Sequence, residues 1–82
     1  MPTLKELFIH EKTWHKKAII LETYHILHEI SDSSWQMRDT SRELGCSLGY
    51  VSEELLLAKS IRADEGLKLL SRNKALKVVK SG

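Results

Sequence analysis

A glycine between two short helical stretches is the feature that most restricts how this chain can fold. The stretch RDTSRELGCSLGYVSEELLLAK (38–59) reads as helix up to Gly45 and again after Ser47. Glycine directly after a helix permits the left-handed turn that ends it, and serine is a preferred cap for the next helix. The sequence therefore predicts a helix over 37–44, a three-residue turn, and a second helix from 48 to about 61.

Small and apolar residues around this turn stand at offsets that suit the internal packing of two crossing helices. Ser41 lies four residues before the glycine, where the helices would approach closely, and Leu44 precedes the glycine directly. Val51 lies six residues after it, and Leu55 and Ala58 continue its helix face. Two helices joined by a short turn containing glycine form a helix-turn-helix. This is the motif that the sequence indicates.

The rest of the chain also reads as helix. A capping-box pattern opens a first short helix, and apolar residues at helical spacing predict a long helix over 13–30. The basic end, 63–80, reads as two short helices. Low proline and glycine contents disfavour a β fold with many turns. We expect one all-α domain over 1–82, with four to six helices built around a helix-turn-helix motif at 37–60.

Charge is unevenly distributed along the chain. The 17 residues from Gly66 onward contain five basic and no acidic side chains, whereas the preceding 65 residues have a net charge of −3. A basic tail on a slightly acidic body indicates contact with an anionic partner, or a lysine-rich helix face that is simply solvated. Charge alone leaves both interpretations open.

Cysteine and hydropathy patterns restrict the class of protein. The single cysteine, Cys46, excludes an internal disulfide and a zinc site made of several cysteines. The sequence shows neither the charged-then-apolar pattern of a secretion signal nor an apolar run of membrane-spanning length. We therefore expect a cytoplasmic protein without a membrane partner.

The start of the second helix carries the residues that we expect to face DNA bases. In a helix-turn-helix these residues enter the major groove. Serine and tyrosine hydroxyls can bond to bases or phosphates, a glycine permits close backbone approach, and Leu48 can contact a thymine methyl group. Glu53 would repel phosphates unless it accepts a hydrogen bond from a cytosine amino group. The predicted base-facing set is Ser47, Leu48, Gly49, Tyr50, Ser52 and Glu53.

This face contains no arginine, asparagine or glutamine, so its neighbours must supply the positive charge. The predicted phosphate contacts are Arg38, Thr40, Arg42, Lys59, Arg72, Lys74 and Lys77, with Lys80 as a further cation of the tail. Each neutralised phosphate releases counterions, so binding should weaken steeply with salt. Because one copy would discriminate poorly between sequences, we expect a homodimer or a cooperative oligomer on double-stranded DNA, associated with the nucleoid.

The stretch TSRELGCSLGYVSEELLLAKSI resembles the helix-turn-helix of the ParB/KorB group of plasmid and phage partition proteins. It is also similar to small DNA-binding proteins of phages and mobile elements. The resemblance covers about Trp35 to Lys80, and Ser41 replaces an alanine that is commoner in the group. Nothing resembles the nucleotide-hydrolysing or nuclease-like N-terminal region of full ParB proteins, so the resemblance implies a bare DNA-binding module. The matching residues are Gly45, Ser47, Val51, Ser52, Leu55, Leu57, Ala58 and Lys59.

Metal binding and catalysis are two further functions that the sequence could support. His25 and His28 could share a metal with Glu22 or Glu29, but a site needs three or four ligands in an enforced geometry. The sequence has no phosphate-binding glycine loop and no nucleophile elbow. We expect neither a cofactor nor an enzyme, although a metal-responsive regulator stays a third possibility.

A protein-interaction module that kept the helix-turn-helix without binding DNA is the main alternative function. Glu53 and Glu54 on the second helix and the near-neutral body favour it. Trp14 and Trp35 could stack on bases, but aromatic residues at such positions more often fill a core. The apolar width around Leu57 fits either burial against the last helices or a dimer seam.

Overall fold

Five α-helices and one 3₁₀ helix make up the computed structural model, which describes residues 1–81. No strand occurs within that range, so the prediction of an all-α domain with four to six helices is confirmed. Helices α3 and α4 begin where the sequence predicts. The elements are α1 Leu4–His10, α2 Trp14–Ser31, α3 Met37–Leu44, α4 Leu48–Ala63, the 3₁₀ helix Glu65–Leu69 and α5 Arg72–Ser81.

Local capping fixes where these helices begin. The Thr3 hydroxyl accepts a hydrogen bond from the Glu6 amide at 3.2 Å, and the Glu6 carboxylate accepts one from the Thr3 amide at 3.4 Å. This reciprocal pair is the capping box expected at the start of α1. The Ser47 hydroxyl accepts from the Tyr50 amide at 3.1 Å, which caps α4.

The turn between α3 and α4 depends on Gly45, which has φ 69° and is the one residue with positive φ in the described chain. The Cys46 amide donates to the Ser41 carbonyl at 3.0 Å, and the Gly45 amide donates to the Arg42 carbonyl at 3.3 Å. This pair of bonds is a Schellman motif, which satisfies carbonyls that the helix end would leave without partners. The predicted glycine-ended turn is therefore confirmed.

The core consists of two apolar clusters, each of which contains residues of both α2 and α4. One cluster joins α2, α4 and α5 through Ala18, Leu57, Ala58, Ala75 and Leu76. The other joins α1 to α4 through Phe8, Leu21, Leu44 and Val51. The apolar width around Leu57 also includes Leu56. Leu57 is buried against α2 and α5, which agrees with burial against the last helices, whereas Leu56 is 38% exposed.

The buried face of α4 differs from the predicted one. Leu55 is only half-buried, whereas Glu54 has 0% exposure. The prediction followed apolar residues only, and it therefore missed a charged residue one turn after Val51. Glu54 is tolerated inside because Arg72 of α5 reaches its carboxylate, with an Nε–Oε1 distance of 2.9 Å.

Both tryptophans are tied into the fold. The Trp14 indole donates to the Leu70 carbonyl at 3.0 Å, which holds the segment before α5 against the start of α2. The Trp35 indole donates to the Thr40 hydroxyl at 2.8 Å and stacks on His28, with the ring centroids 4.1 Å apart. Both side chains are half-buried. This burial agrees with a role in packing and not with exposed rings on which bases could stack.

None of the helices within residues 1–81 combines the length and the low charge that crossing a bilayer would require.

Candidate nucleic-acid interface

The exposed side of the start of α4 is the centre of the candidate site. We call Ser47, Leu48, Gly49 and Ser52 the α4 edge, and all four are exposed. The buried residues of α4 lie on the opposite side of the helix because Val51 and Leu57 pack into the core. The helix therefore presents two hydroxyls, one leucine and a backbone without a side chain to solvent.

The α4 edge continues along the helix. Leu56 and Lys59 follow Ser52 at the i+4 and i+7 spacing, which keeps all three on one side, and both are exposed. Lys59 therefore stands at the far end of the same exposed stripe, about two turns beyond Ser52. That arrangement agrees with its predicted position beside the base-facing residues.

Gly49 has open space around it. A Cβ atom built on this residue would meet no atom within 4 Å outside its own neighbours and the local helix backbone. Packing within the protein therefore gives no reason for glycine at this exposed position.

A depression beside Leu48 brings in residues that sequence analysis missed. It has a volume of about 400 Å³ and is lined by Gln36, Met37, Arg38 and Leu48. We call it the Leu48 depression. The α3–α4 turn brings the start of α3 beside the start of α4. As a result, Gln36 and Arg38 flank the α4 edge, which contains no glutamine or arginine of its own. The missed signal was the position of Gln36 directly before α3, which the crossing of the two helices brings close to Leu48.

Tyr50 does not lie on the α4 edge, which corrects its predicted base-facing role. Its ring packs edge-on against Phe8, with centroids 6.5 Å apart, and the Arg72 guanidinium lies 4.9 Å from the ring centroid. Burial, together with the negative charge of Glu54, raises the pKa of Tyr50 to about 12. The side chain is half-buried and contacts α1 and α5, away from the α4 edge.

Thr40 is also corrected, because a residue with 0% exposure cannot contact a phosphate. Its hydroxyl lies 2.7 Å from His25 Nδ1 and accepts from the Trp35 indole at 2.8 Å. Thr40 and Leu44 stand at i and i+4 on α3, and that spacing puts both on the side facing α2. Thr40 therefore holds α3 to α2 through a buried polar network.

Glu53 and Arg72 belong to an ion cluster that joins α4 to α5. The Arg72 Nε atom donates to Glu54 Oε1 at 2.9 Å, and its Nη2 atom donates to Glu53 Oε1 at 3.3 Å. The Lys80 Nζ atom donates to Glu53 Oε2 at 3.0 Å. We call Glu53, Glu54, Arg72 and Lys80 the α4–α5 ion cluster.

The cluster changes the electrostatics predicted for this surface. The Lys80 hydrogen bond is the main factor that lowers the pKa of Glu53, whereas burial raises the pKa of Glu54. Arg72 is only 26% exposed and pairs with two carboxylates, so its predicted role in binding phosphates is corrected to one of neutralising the acidic residues of α4. The two basic and two acidic groups sum to no net charge.

The other predicted phosphate contacts are exposed. Arg38 and Arg42 lie on the side of α3 away from its buried residues, and Arg42 also pairs with Asp39. Three further lysines are exposed and have no ion-pair partner within residues 1–81, namely Lys59, Lys74 and Lys77. Arg38 and the three lysines are therefore available to an anionic partner, and Arg42, whose side chain is 70% exposed, can exchange its weak surface pair with Asp39 for a phosphate.

The histidine-rich part of α2 does not form a metal-binding cluster. His25 is buried against Thr40, and its Nε2 atom lies 3.5 Å from Glu29. His28 stacks on Trp35. Across residues 1–81, no group of three or more histidine, cysteine, aspartate or glutamate side chains is close enough together to hold a metal ion.

Cys46, in the turn, is half-buried, and burial raises the pKa of its thiol. A raised pKa disfavours the thiolate, which is the form that reacts with oxidants and disulfides.

Comparison of the chain with protein-family models, with curated proteins and with solved structures finds no match.

Proposed function

We propose that this protein binds double-stranded DNA by inserting the α4 edge into the major groove. The observation that carries the proposal is that all four residues of the α4 edge are exposed. The exposed arginines of α3 lie on the other side of the tight turn that precedes this edge. Small polar side chains at the start of a second helix suit a groove floor, and flanking arginines suit the phosphates on its rim.

The proposed role is that of a small regulator, a partition factor or a replication accessory factor of a mobile element. The ParB/KorB-like pattern of residues around Gly45 and Ser47 supports this narrower proposal. It would make the protein a cytoplasmic, nucleoid-associated one that acts by occupying DNA and not by catalysis.

Of the two features that favour an interaction module, the near-neutral body stands, whereas the acidic pair on the second helix is neutralised by its neighbours. That pair, Glu53 and Glu54, would form an acidic surface on the second helix if both side chains were free. Glu54 is buried against Arg72, and Glu53 is held by Arg72 and Lys80. The surface near α4 is therefore less acidic than its sequence indicates, which favours an anionic partner.

We further propose that two copies bind together. A single edge of this size contacts few base pairs, and two-fold dimers read two half-sites about one helical turn apart. The end of α2 exposes Ile26, Leu27 and Ile30 on one side, which gives a second copy an apolar surface to cover. Sedimentation with and without duplex, together with enrichment of palindromes among sequences selected from random duplexes, tests this part.

A charge-insertion experiment tests the proposal for DNA binding. Ser52→Glu adds a negative charge to the α4 edge at an exposed position, so the fold should be retained while binding to duplex weakens at least about ten-fold. Leu69→Glu adds the same charge at a residue that is 90% exposed on the 3₁₀ helix, and it serves as the matched control. Binding is followed by gel shift at low salt with the random duplex pool.

The proposal expects a loss of binding with Ser52→Glu and near-normal binding with Leu69→Glu. Equal affinities for both variants would mean that DNA contacts another surface. If the wild-type protein binds no duplex at low salt, the interaction module becomes the better account.

A further inference from the structure

The Leu48 depression brings apolar and hydrogen-bonding side chains together beside the α4 edge. Met37 is 39% exposed and Leu48 is 50% exposed, and they line the same depression from different helices. Gln36 and Arg38 complete its lining. The proposed partner, a DNA duplex, is mostly charged and polar. Exposed apolar side chains on the surface that binds it therefore indicate contact with an apolar group of the duplex.

We infer that the Leu48 depression receives the 5-methyl group of thymine, so that this protein prefers T·A base pairs at that position. This inference rests on the proposed function. The thymine methyl is the one apolar group that bases present on the floor of the major groove. Contact with Met37 and Leu48 would remove that methyl group and part of both side chains from water.

The polar lining fits the same base pair. A glutamine side chain pairs with the N6 and N7 atoms of adenine in the major groove, and adenine is the partner of thymine. Gln36 is exposed, and its backbone amide is held by the Asp39 carboxylate at 2.8 Å, which fixes the start of α3. Arg38 is exposed on the same rim, where its charge suits a phosphate beside the base pair.

Packing of the core does not explain why Met37 and Leu48 are apolar. Leu48 is the first residue of α4 and belongs to neither of the two core clusters, and the same is true of Met37 at the start of α3. Replacing either with alanine should therefore leave the fold intact, so an effect on binding can be assigned to the contact with DNA.

Removing one methyl group from DNA gives a direct test. The probes are a duplex of alternating dA and dT and the same duplex with dU at every dT position, compared at about 50 mM salt. The two differ only in the methyl group. We expect wild-type protein to bind the dT duplex about three- to five-fold more tightly, as burial of one methyl-sized group implies. Gln36→Ala should weaken binding to both duplexes and leave their ratio unchanged.

The variants assign that preference to the depression. Leu48→Ala and Met37→Ala should each bring the ratio of the two affinities close to one, whereas the control Leu69→Ala should keep the wild-type ratio. Equal binding of dT and dU duplexes by the wild type, or a dT preference that survives in Leu48→Ala, would overturn the inference while leaving DNA binding intact. Absence of binding to either duplex would instead refute the proposed function, and the inference with it.

Discussion

At the scale of single residues, Glu54 and Arg72 decide how α4 is held. Glu54 has 0% exposure, and its Oε2 atom has no hydrogen-bond partner within the described chain. Its other oxygen accepts from Arg72 at 2.9 Å. A buried ion pair adds little net stability, yet removing one partner is costly because the remaining charge stays buried.

Loss of Arg72 should therefore destabilise the protein, whereas loss of the whole pair should not. Arg72→Met should lower the free energy of unfolding by about 2–3 kcal/mol, since Arg72 keeps some contact with water. The double variant Glu54→Leu with Arg72→Met should recover most of that loss because no unpaired charge is left. Lys80→Ala removes a surface pair and should cost less than about 1 kcal/mol. Urea unfolding measures all three, and a double variant less stable than Arg72→Met would contradict this view of the pair.

The same carboxylate should leave a signature in the pH dependence of stability. Burial raises the pKa of Glu54 above its ordinary value of 4.5. The native state then holds this proton more tightly than the unfolded state, so the contribution to stability is present below pH 4.5 and is lost as the pH rises through the raised pKa. Wild-type protein should thus lose stability relative to Glu54→Gln as the pH rises above about 4.5.

Urea unfolding of both proteins at several pH values checks this expectation. Groups with lowered pKa values, such as Glu11, Asp32 and Glu53, have the opposite pH dependence, but both proteins contain them. The difference between wild type and Glu54→Gln therefore isolates the buried carboxylate. A difference that is constant with pH, or that grows in the other direction, would show that Glu54 does not titrate as described.

At the scale of elements, the α3–α4 turn should be sensitive to backbone conformation alone. Gly45 has φ 69°, but a Cβ atom there would meet nothing within 4 Å. Gly45→Ala should therefore lower the free energy of unfolding by about 1–2 kcal/mol through backbone strain. Gly45→Asn should cost less, since asparagine tolerates the left-handed region better. Thermal unfolding separates the two, and an alanine variant as stable as the wild type would contradict the assigned turn.

Gly49 should behave in the opposite way. It lies in the first turn of α4 with open space around it, so Gly49→Ala should raise the free energy of unfolding by about 0.5 kcal/mol. If the α4 edge approaches DNA closely, the added methyl group should nevertheless weaken binding. We therefore expect the Gly49→Ala variant to have a higher free energy of unfolding and a lower affinity for duplex than the wild type. A variant that gains stability and binds DNA normally would show that no close backbone approach occurs at this residue.

The helices were predictable because their signals are local. Gly45 and Ser47 fix the ends of α3 and α4 through bonds to residues within five positions, so a short window of sequence contains the whole signal. The side chains of the site were less predictable because their partners are remote. From sequence, Thr40 and Arg72 are expected at the surface as phosphate contacts. In the structure Thr40 bonds to His25 of α2, and Arg72 pairs with Glu54 of α4.

The same limit applies to residues that sequence analysis missed. Gln36 lies 12 residues before Leu48, and only the crossing of α3 and α4 brings both to one depression. Tyr50 is polar at one end and apolar over most of its ring, so sequence alone does not say which part decides its direction. Contact with Phe8 and Arg72 decides it here.

At the scale of the whole molecule, the cations available to DNA are fewer than the sequence indicates. Two of the five basic residues in the tail, Arg72 and Lys80, neutralise glutamates of α4. The cations left for phosphates are Arg38, Arg42, Lys59, Lys74 and Lys77. With at most about five phosphate contacts per copy, raising salt from about 50 mM to about 200 mM should weaken binding roughly 100- to 500-fold.

The most direct test of duplex binding through the α3–α4 surface is the salt dependence of affinity for wild-type protein and for Arg38→Ala. Fluorescence anisotropy of a labelled duplex gives the affinity at each salt concentration, with Lys16→Ala as the control. Lys16 is an exposed cation that lies in a different depression, beside Ile19 and Lys68.

The logarithm of the association constant should fall linearly with the logarithm of salt concentration, with a slope per bound copy of about −3.3 to −4.5 for wild type and Lys16→Ala. Arg38→Ala should bind more weakly, and its slope should be less steep by about one because one phosphate contact is lost. A slope for Arg38→Ala equal to that of the wild type, or no binding by wild-type protein at about 50 mM salt, would contradict the proposed interface.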